Sequence, residues 1–175
     1  MILFSSLIVA LSCCVGDRLP SRPNERFLTI REFGTIGNGT AFAMGVAAAR
    51  PDRPVVLFDG DGSLLMNIQE LETIHRHGLN ILIVVINDGA DGSEVHKLRS
   101  EGLSEAGSVF GFTDFAGIAK GFGLDGRTIT DAARIPAAVQ AFARSGGAAV
   151  WDLRVSDKVI SRITRQAHPP RKQPG

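Results

Sequence analysis

Residues 81–86 form the strongest strand pattern in the sequence, because Ile, Leu and Val follow one another there without a polar residue. A strand that is apolar on both faces belongs in the middle of a parallel sheet whose two faces are covered by helices. Residues 55–58 form a second strand pattern. Between the two strands, residues 63–77 have the apolar spacing of a helix, which Gly78 ends. This order predicts a right-handed βαβ unit.

The rest of the chain continues the alternation of strands and helices. Residues 2–11 are a possible first strand, and residues 26–30 are a short apolar piece. The remaining predicted elements are a helix at 40–50, a helix at 114–121, a strand at 128–130, a helix from the cap Asp131 to Arg144 and a strand at 148–155. We therefore expect a three-layer α/β/α fold with a mostly parallel sheet.

The two ends of the chain differ in composition from its middle. Residues 1–17 are a divergent apolar segment. No Lys or Arg precedes its apolar run, which is too short to span a bilayer, so a first strand is favoured over a secretory signal peptide. Residues 18–160 form the predicted domain. Residues 161–175 form a basic, proline-containing tail that we expect to be disordered.

Composition limits the partners and the compartment. The 175 residues suffice for one domain, and they carry 19 Lys and Arg against 18 Asp and Glu without a basic stripe. We therefore expect no binding to nucleic acid. The two cysteines, Cys13 and Cys14, are adjacent and cannot form an ordinary disulfide staple. A cytoplasmic protein without membrane association is the resulting prediction.

Glycine-acid turns follow both central strands. Gly60-Asp61-Gly62-Ser63 follows the strand at 55–58, and Asn87-Asp88-Gly89 follows the strand at 81–86. Alone, either motif is more often an ordinary turn. However, the two aspartates lie 27 positions apart, enough for one helix and one returning strand, which places both at the same edge of the sheet. Glycines allow close backbone approach, and carboxylates plus phosphates suit Mg²⁺, so a metal–diphosphate site is predicted here.

The same motifs resemble a known family. The loop Gly60-Asp61-Gly62-Ser63, the stretch 66–71 and the turn 85–89 are similar to the thiamine-diphosphate motif of the acetolactate synthase, benzoylformate decarboxylase and pyruvate oxidase superfamily. Further similar stretches lie at 27–29, 34–37, 48–54, 114–116 and 121–123. The resemblance covers residues 18–155. It implies the C-terminal domain that binds thiamine diphosphate and Mg²⁺.

The resemblance implies roles for individual residues around the metal. Asp61 and Asp88 correspond to the side-chain ligands of Mg²⁺, and the backbone carbonyl of Ala90 completes the protein's share. Two differences from most members lie in the same turn. Asp88 stands where most members carry Asn, which predicts a stronger dependence on the metal, and Asp91 stands where many carry Tyr.

Other positions correspond to contacts with the organic cofactor. Gly62 and Ser63 correspond to residues that bind the diphosphate, and Gly60 is a further candidate for contact with the cofactor. Ile36 corresponds to the residue that wedges under the cofactor and enforces its bent shape. The backbone at Gly34 and Ile36 corresponds to the part that bonds the aminopyrimidine ring.

The resemblance also implies a missing catalytic group. Family members use a glutamate from a separate pyrimidine-binding domain, and we expect that this chain does not hold that domain. It therefore needs a partner, either a separate chain or the rest of a longer parent, in a homo- or hetero-oligomer. With that partner, it would take part in carboligation of the acetolactate synthase type or in decarboxylation of a 2-oxo acid. Whether the chain is an enzyme by itself stays open.

Two other functions are alternatives to this one. A non-catalytic binding or regulatory module could retain the same fold, and the sequence alone does not exclude it. A dinucleotide-binding oxidoreductase is disfavoured because no Gly-x-Gly-x-x-Gly turn follows the first strand.

Several other polar or aromatic side chains have ordinary structural interpretations. His75 and His77 point to different helix faces, so they are expected at the surface rather than at a shared metal. His96 follows the turn Asn87-Asp88-Gly89 and is a weak candidate for a role in the site. The alternative is an ordinary loop histidine. The remaining side chains are expected in a solvated helix face, in ion pairs or in the core, namely Glu70, Glu72, Glu94, Arg99 and Trp151.

Overall fold

A computed structural model describes residues 2–5, 27–29, 34–160 and 162–169. Within these residues six strands form one sheet in which every neighbouring pair is parallel. The strands are β1 (Ile2–Ser5), β2 (Phe27–Thr29), β3 (Val55–Gly60), β4 (Ile81–Asn87), β5 (Asp125–Ile129) and β6 (Ala149–Arg154). Their order across the sheet is β2-β1-β3-β4-β6-β5. The predicted parallel α/β fold is confirmed, with β4 inside the sheet as expected.

Helices connect the strands. They are α1 (Gly39–Ala49), α2 (Asp61–Leu65), α3 (Glu70–Arg76), α4 (Gly92–Glu101), α5 (Phe115–Gly121), α6 (Ile135–Ser145) and α7 (Arg162–Ala167). A short 3₁₀ turn, Ala132–Arg134, precedes α6. The predicted cap Asp131 caps this turn, by accepting a hydrogen bond from Ala133 N at 2.9 Å, and not α6 itself, which begins after Arg134.

Two apolar clusters cover the two faces of the sheet. Alternate residues of each strand point to opposite faces, so Leu57 and Ile83 belong to one cluster while Val56 and Leu82 belong to the other. The first cluster contains buried side chains of α1, α2, α3 and α5, and the second contains Phe142 of α6. Helices therefore pack on both faces, which gives the predicted three layers.

The register of the strands aligns the ends that carry the polar turns. Gly60, the last residue of β3, pairs with Ile86 of β4, and Asn87, the last residue of β4, pairs with Arg154 of β6. Because all strands are parallel, their carboxyl ends lie along one edge of the sheet. Ligands of open α/β sheets bind at this edge.

The single helix predicted at 63–77 is wrong. The structure has α2 and α3 instead, joined by turns in which Asn67 N donates to the carbonyl of Leu64 and Glu70 N to that of Asn67. The side-chain amide of Asn67 donates to the carbonyl of Gly37, a contact that competes with a continuous helix. Gly78 ends α3 with a positive φ of 58°, as predicted.

The disorder predicted for 161–175 is also contradicted in part. Residues 162–167 form α7, which lies beside α4. The polar composition of this stretch does not predict a helix. The helix instead packs beside α4, which is distant in the sequence. The end of the tail, residues 170–175, lies outside the described residues, as does most of 1–17 apart from the strand Ile2–Ser5. No helix among the described residues is long and apolar enough to cross a membrane.

Candidate functional site

Asp61 connects the two turns at the carboxyl edge of the sheet. It follows β3 directly and is only 3% exposed. Its Oδ1 accepts a hydrogen bond from Gly62 N at 2.9 Å, and its Oδ2 accepts one from Gly89 N at 2.8 Å. One carboxylate thus bonds both the loop after β3 and the turn after β4. The two motifs that the sequence places at one edge are in direct contact.

The turn after β4 rests on a second segment, residues 108–113. Phe110 N and Gly111 N both donate to the carbonyl of Gly89, at 3.0 and 2.8 Å, and Asp91 N donates to the carbonyl of Ser108 at 2.9 Å. Gly89 has a positive φ of 75°, and a Cβ there would lie 3.0 Å from the backbone of Gly111. Both the backbone conformation and the space require glycine at this position.

Burial raises the pKa values of both candidate metal ligands. Removal from water raises the pKa of Asp61 to about 6, with repulsion from the Asp88 carboxylate adding to the increase and backbone hydrogen bonds opposing it. Removal from water likewise raises the pKa of Asp88, partly offset by hydrogen bonding from the backbone and by the nearby His96. Two adjacent, desolvated carboxylates are costly to ionise, and a bound cation offsets that cost. The donor chemistry therefore fits a divalent metal ion.

Glycines bring backbone close to the acidic side chains. A Cβ on Gly62 would lie 2.6 Å from Asp91 Oδ1, and a Cβ on Gly92 would lie 2.2 Å from Asp88 Oδ2. Both distances are far below ordinary contact, so a larger side chain at either glycine displaces a carboxylate. Asp91 therefore lies against the loop that the sequence predicts to bind a diphosphate.

Residues 34–38 reach the same edge from the entry to α1. Gly37 N donates to Ser63 Oγ at 2.8 Å, a buried hydrogen bond that joins this segment to the loop after β3. Gly34 is exposed with a positive φ of 61°, and Ile36 is half-buried. The structure thus brings the Gly34–Gly37 region and the Gly60–Ser63 loop together, as the sequence prediction requires.

A buried polar network lies beside the turn after β4, and sequence reasoning missed it. Asn87 and Asp152 are both fully buried, and Asn87 Nδ2 donates to Asp152 Oδ1 at 2.8 Å and to the carbonyl of Thr113 at 3.1 Å. Arg154 Nη2 lies 2.8 Å from Asp152 Oδ2 and donates to the same Thr113 carbonyl at 2.9 Å. The signal in the sequence was an aspartate within a strand of apolar residues, since a buried charge needs partners.

His96 is the predicted weak site candidate, and the structure places it on α4 rather than in a loop. It is half-buried, and it lies near Asp88, where burial raises the pKa of the carboxyl and His96 is a minor opposing influence. Its Nδ1 is buried without a hydrogen-bond partner among the described residues. No geometry in the structure assigns it a contact with a ligand.

The other side chains considered from the sequence have structural roles. His75 and His77 are exposed. Glu72 and Glu94 form surface ion pairs within their own helices, with Arg76 and Lys97. Arg99 pairs with Glu105 and Asp157, and Trp151 packs in the core edge-on against Phe142 with ring centroids 6.3 Å apart. In the described part of the chain, no three His, Cys, Asp or Glu side chains converge as a metal cluster.

Comparison with known proteins assigns the chain to a family. Residues 11–153 match the family model described as "Thiamine pyrophosphate enzyme, C-terminal TPP binding domain". The chain belongs to this family. Thiamine pyrophosphate is another name for thiamine diphosphate, so the resemblance recognised from the two turns is confirmed.

Similar curated proteins and a solved structure agree with this assignment. The chain is 37% identical to the acetolactate synthase isozyme 1 large subunit of Escherichia coli over 85% of its own length and 30% of the relative. It is 43% identical to an acetolactate synthase large subunit of Parasynechococcus marenigrum over 56% of its length and 16% of the relative. The chain therefore spans less than a third of either relative.

A solved structure shares the fold. The crystal structure of a benzoylformate decarboxylase from Polynucleobacter necessarius superposes with a TM-score of 0.82, covering 92% of this chain and 31% of that one. At 18% identity this likeness supports the fold alone.

Proposed function

We propose that the carboxyl edge of the sheet binds Mg²⁺ together with the diphosphate of thiamine diphosphate. The single observation that carries the proposal is the buried carboxylate of Asp61, which bonds the backbone of both turns and whose pKa is raised to about 6 by burial. A buried carboxylate beside a second acidic side chain favours a cation at this point.

Three groups of this chain would hold the metal. Asp61 and Asp88 supply carboxylate oxygens, and Ala90 supplies its backbone carbonyl. Mg²⁺ prefers six oxygen ligands and commonly combines one or two carboxylates with phosphate oxygens and water. The protein groups named here leave positions for a diphosphate, which explains why metal and cofactor should bind together.

The loop after β3 would receive the diphosphate. Gly60 and Gly62 have no side chains, so a phosphate oxygen can approach the backbone closely. Ser63 offers a hydroxyl and already anchors Gly37. The family resemblance implies that Ile36 and the backbone of Gly34 would contact the ring part of the cofactor, and the Gly37–Ser63 hydrogen bond, which joins that segment to the loop, supports this role.

Asp91 adds a third acidic side chain to this site. Its carboxylate lies against Gly62 and adds negative charge where an anionic ligand is expected. Mg²⁺ between the carboxylates and the phosphates would reduce this repulsion. We therefore expect cofactor binding to depend strongly on the metal.

Bound thiamine diphosphate supplies an electron sink for making or breaking a bond next to a carbonyl group. This chain's own residues would bind and orient it, and the glutamate that activates it would come from a pyrimidine-binding domain of another chain or of another part of a longer polypeptide. In that assembly, an oligomer in the cytoplasm, the domain would support a lyase or transferase reaction of the acetolactate synthase or 2-oxo-acid decarboxylase type. We propose that the chain requires this partner for activity.

Calorimetric titration of the purified chain with thiamine diphosphate tests the binding proposal. We expect binding in the presence of Mg²⁺ and little or none after chelation with EDTA. Thiamine without its diphosphate is the matched control ligand and should not bind, because it lacks the group that the metal and the glycine loop recognise. Absence of binding in every condition would contradict the proposal and favour a non-catalytic module that retains the fold.

A further inference from the structure

The metal turn after β4 is supported by a chain of buried polar contacts that begins on β6. Asp152 is fully buried two residues before the end of that strand, where its carboxylate lies between Asn87 Nδ2 at 2.8 Å and Arg154 Nη2 at 2.8 Å. A buried carboxylate without such partners would strongly destabilise the fold. The carboxylate therefore depends on Asn87 and Arg154 for its stability in the interior.

Both partners of Asp152 bond the same backbone oxygen. Asn87 Nδ2 and Arg154 Nη2 donate to the carbonyl of Thr113, at 3.1 and 2.9 Å. The guanidinium of Arg154 also lies over the ring of Phe112, 4.8 Å from its centroid. Residues 112 and 113 therefore contact the last residues of β4 and β6, Asn87 and Arg154.

This segment supports the metal turn. Just before Thr113, the N–H groups of Phe110 and Gly111 donate to the carbonyl of Gly89, and Val109 forms an antiparallel bridge with Ala90. Gly89 is also the residue whose N–H bonds Asp61. Contacts thus run from Asp152 through Thr113 and residues 109–111 to the backbone between the two candidate ligands, Asp88 and Ala90.

We propose that Asp152, acting through Asn87 and Arg154, is a positioning residue that sets the geometry of the turn Asn87–Ala90 for metal binding. Its link to Mg²⁺ rests on the function proposed above, while its effect on the turn does not. Asp152 does not contact the metal in this proposal. Groups that orient metal ligands from behind typically change metal affinity by about 10- to 100-fold when they are replaced.

Two readouts on the full chain test the proposal. The first is amide hydrogen exchange of Phe110 and Gly111 in the metal-free protein, measured relative to the core amide of Ile83. The second is the Mg²⁺ dissociation constant at saturating thiamine diphosphate. Asp152→Asn keeps the size of the side chain and an acceptor for Asn87 but loses the ion pair with Arg154. We expect about tenfold faster relative exchange and about tenfold weaker Mg²⁺ binding.

Replacements of Arg154 supply a graded comparison. A single nitrogen of Arg154 contacts both Asp152 and the Thr113 carbonyl, so Arg154→Lys should preserve more of both readouts than Arg154→Met. Arg127→Met is the matched control, because it breaks an exposed ion pair with Asp125 on the neighbouring strand β5. It should change neither readout.

The outcomes separate positioning from general stability. If Asp152→Asn lowers the melting temperature but leaves the exchange of Phe110 and Gly111 unchanged relative to Ile83, the positioning role is wrong. Normal Mg²⁺ affinity in Asp152→Asn would also overturn it. Should the unmodified chain fail to bind Mg²⁺, the proposed function fails, and the exchange measurement still decides whether Asp152 positions the turn.

Discussion

The loop after β3 and the turn after β4 carry one candidate carboxylate ligand each, but different parts of the chain support them. The loop continues directly into α2, and one buried hydrogen bond, from Gly37 N to Ser63 Oγ, joins it to the entry of α1. The turn after β4 instead rests on residues 108–113, which the Asn87–Asp152–Arg154 network fastens at Thr113.

This difference teaches that two turns at one edge of a sheet can be specified in two ways, by local sequence or by distant contacts. In the first turn, the candidate cofactor-binding residues also build the loop, so local sequence specifies most of it. In the second, Asn87, the neighbour of the candidate ligand Asp88, contacts Asp152, which lies 65 positions away along the chain. The first turn should therefore respond to changes within its own motif, and the second to changes at a distance.

The largest effect is expected where the two turns meet. Asp61→Asn removes a candidate ligand and leaves an amide facing the N–H groups of Gly62 and Gly89, of which only one can still be accepted well. We expect Mg²⁺-dependent binding of thiamine diphosphate to fall by about a hundredfold or more. Calorimetric titration measures it. Asp125→Asn, at an exposed carboxylate at the start of β5, is the control and should bind normally.

A methyl group in the first turn tests its local character. A Cβ on Gly62 would lie 2.6 Å from Asp91 Oδ1, so Gly62→Ala displaces that carboxylate and blocks close approach of a phosphate. We expect about tenfold weaker cofactor binding, equivalent to about 1.4 kcal/mol. Gly45→Ala is the matched control, since nothing lies within 4 Å of a Cβ there and alanine favours a helix by about 1 kcal/mol. Equal affinity of Gly62→Ala and the unmodified chain would contradict the predicted contact.

Loss of the hydrogen bond between Gly37 N and Ser63 Oγ should lower the free energy of unfolding by a small amount. Ser63→Ala removes the acceptor of the buried Gly37 N–H, and an unsatisfied buried donor costs about 1 to 3 kcal/mol. We expect the lower end of that range because the loop lies at the edge of the sheet. Urea unfolding of the metal-free chain measures it. Ser63→Thr retains a hydroxyl and should recover part of the loss; a drop equal to that of alanine would count against the hydrogen bond.

The pH dependence of the metal-free and metal-bound states should have opposite signs. Burial raises the pKa of Asp61 from 3.8 to about 6, so the folded chain holds this proton more tightly than the unfolded chain. The metal-free protein should therefore lose stability as the pH rises from about 4 to about 6. Burial also raises the pKa values of Asp88 and Asp152, in the same direction.

Metal binding should instead weaken as the pH falls. Protons compete with Mg²⁺ for Asp61, so affinity should decrease by up to about tenfold for each pH unit below 6. Urea unfolding and Mg²⁺ titration at matched pH values measure the two trends. An Mg²⁺ affinity that is constant between pH 7 and 5 would show that Asp61 is not a ligand.

Local patterns predicted the framework of this fold and the first turn. The apolar run of β4 has to lie inside the sheet, and the spacing of Asp61 and Asp88 places both at one edge, where the structure has them. Helix α4 was missed because its sequence, Gly-Ser-Glu-Val-His-Lys-Leu-Arg-Ser-Glu, buries only Val95 completely and lacks a broad apolar stripe. The break between α2 and α3 was missed because Asn67 bonds Gly37, a contact between distant positions.

The support of the second turn was beyond local prediction for the same physical reason. Asn87 belongs to the recognised motif, but its side chain points to Asp152 and Thr113 rather than to a ligand. The sequence around Asp152 does not indicate that Asn87 will be its partner. Only the parallel register, which pairs Asn87 with Arg154, brings them together. Candidate ligands on local motifs are therefore easier to predict than distant residues that contact the same turn.

The central claim is that both turns form one site for Mg²⁺ and a diphosphate. NMR spectra of the ¹⁵N-labelled chain during titration with Mg²⁺ and thiamine diphosphate test it most directly. Changes in amide shifts should concentrate at Gly60, Gly62, Gly89 and Ala90, with little change at Asn80 before β4 on the opposite edge. Shifts confined to the opposite edge, or none at saturating concentrations of both ligands, would contradict the claim.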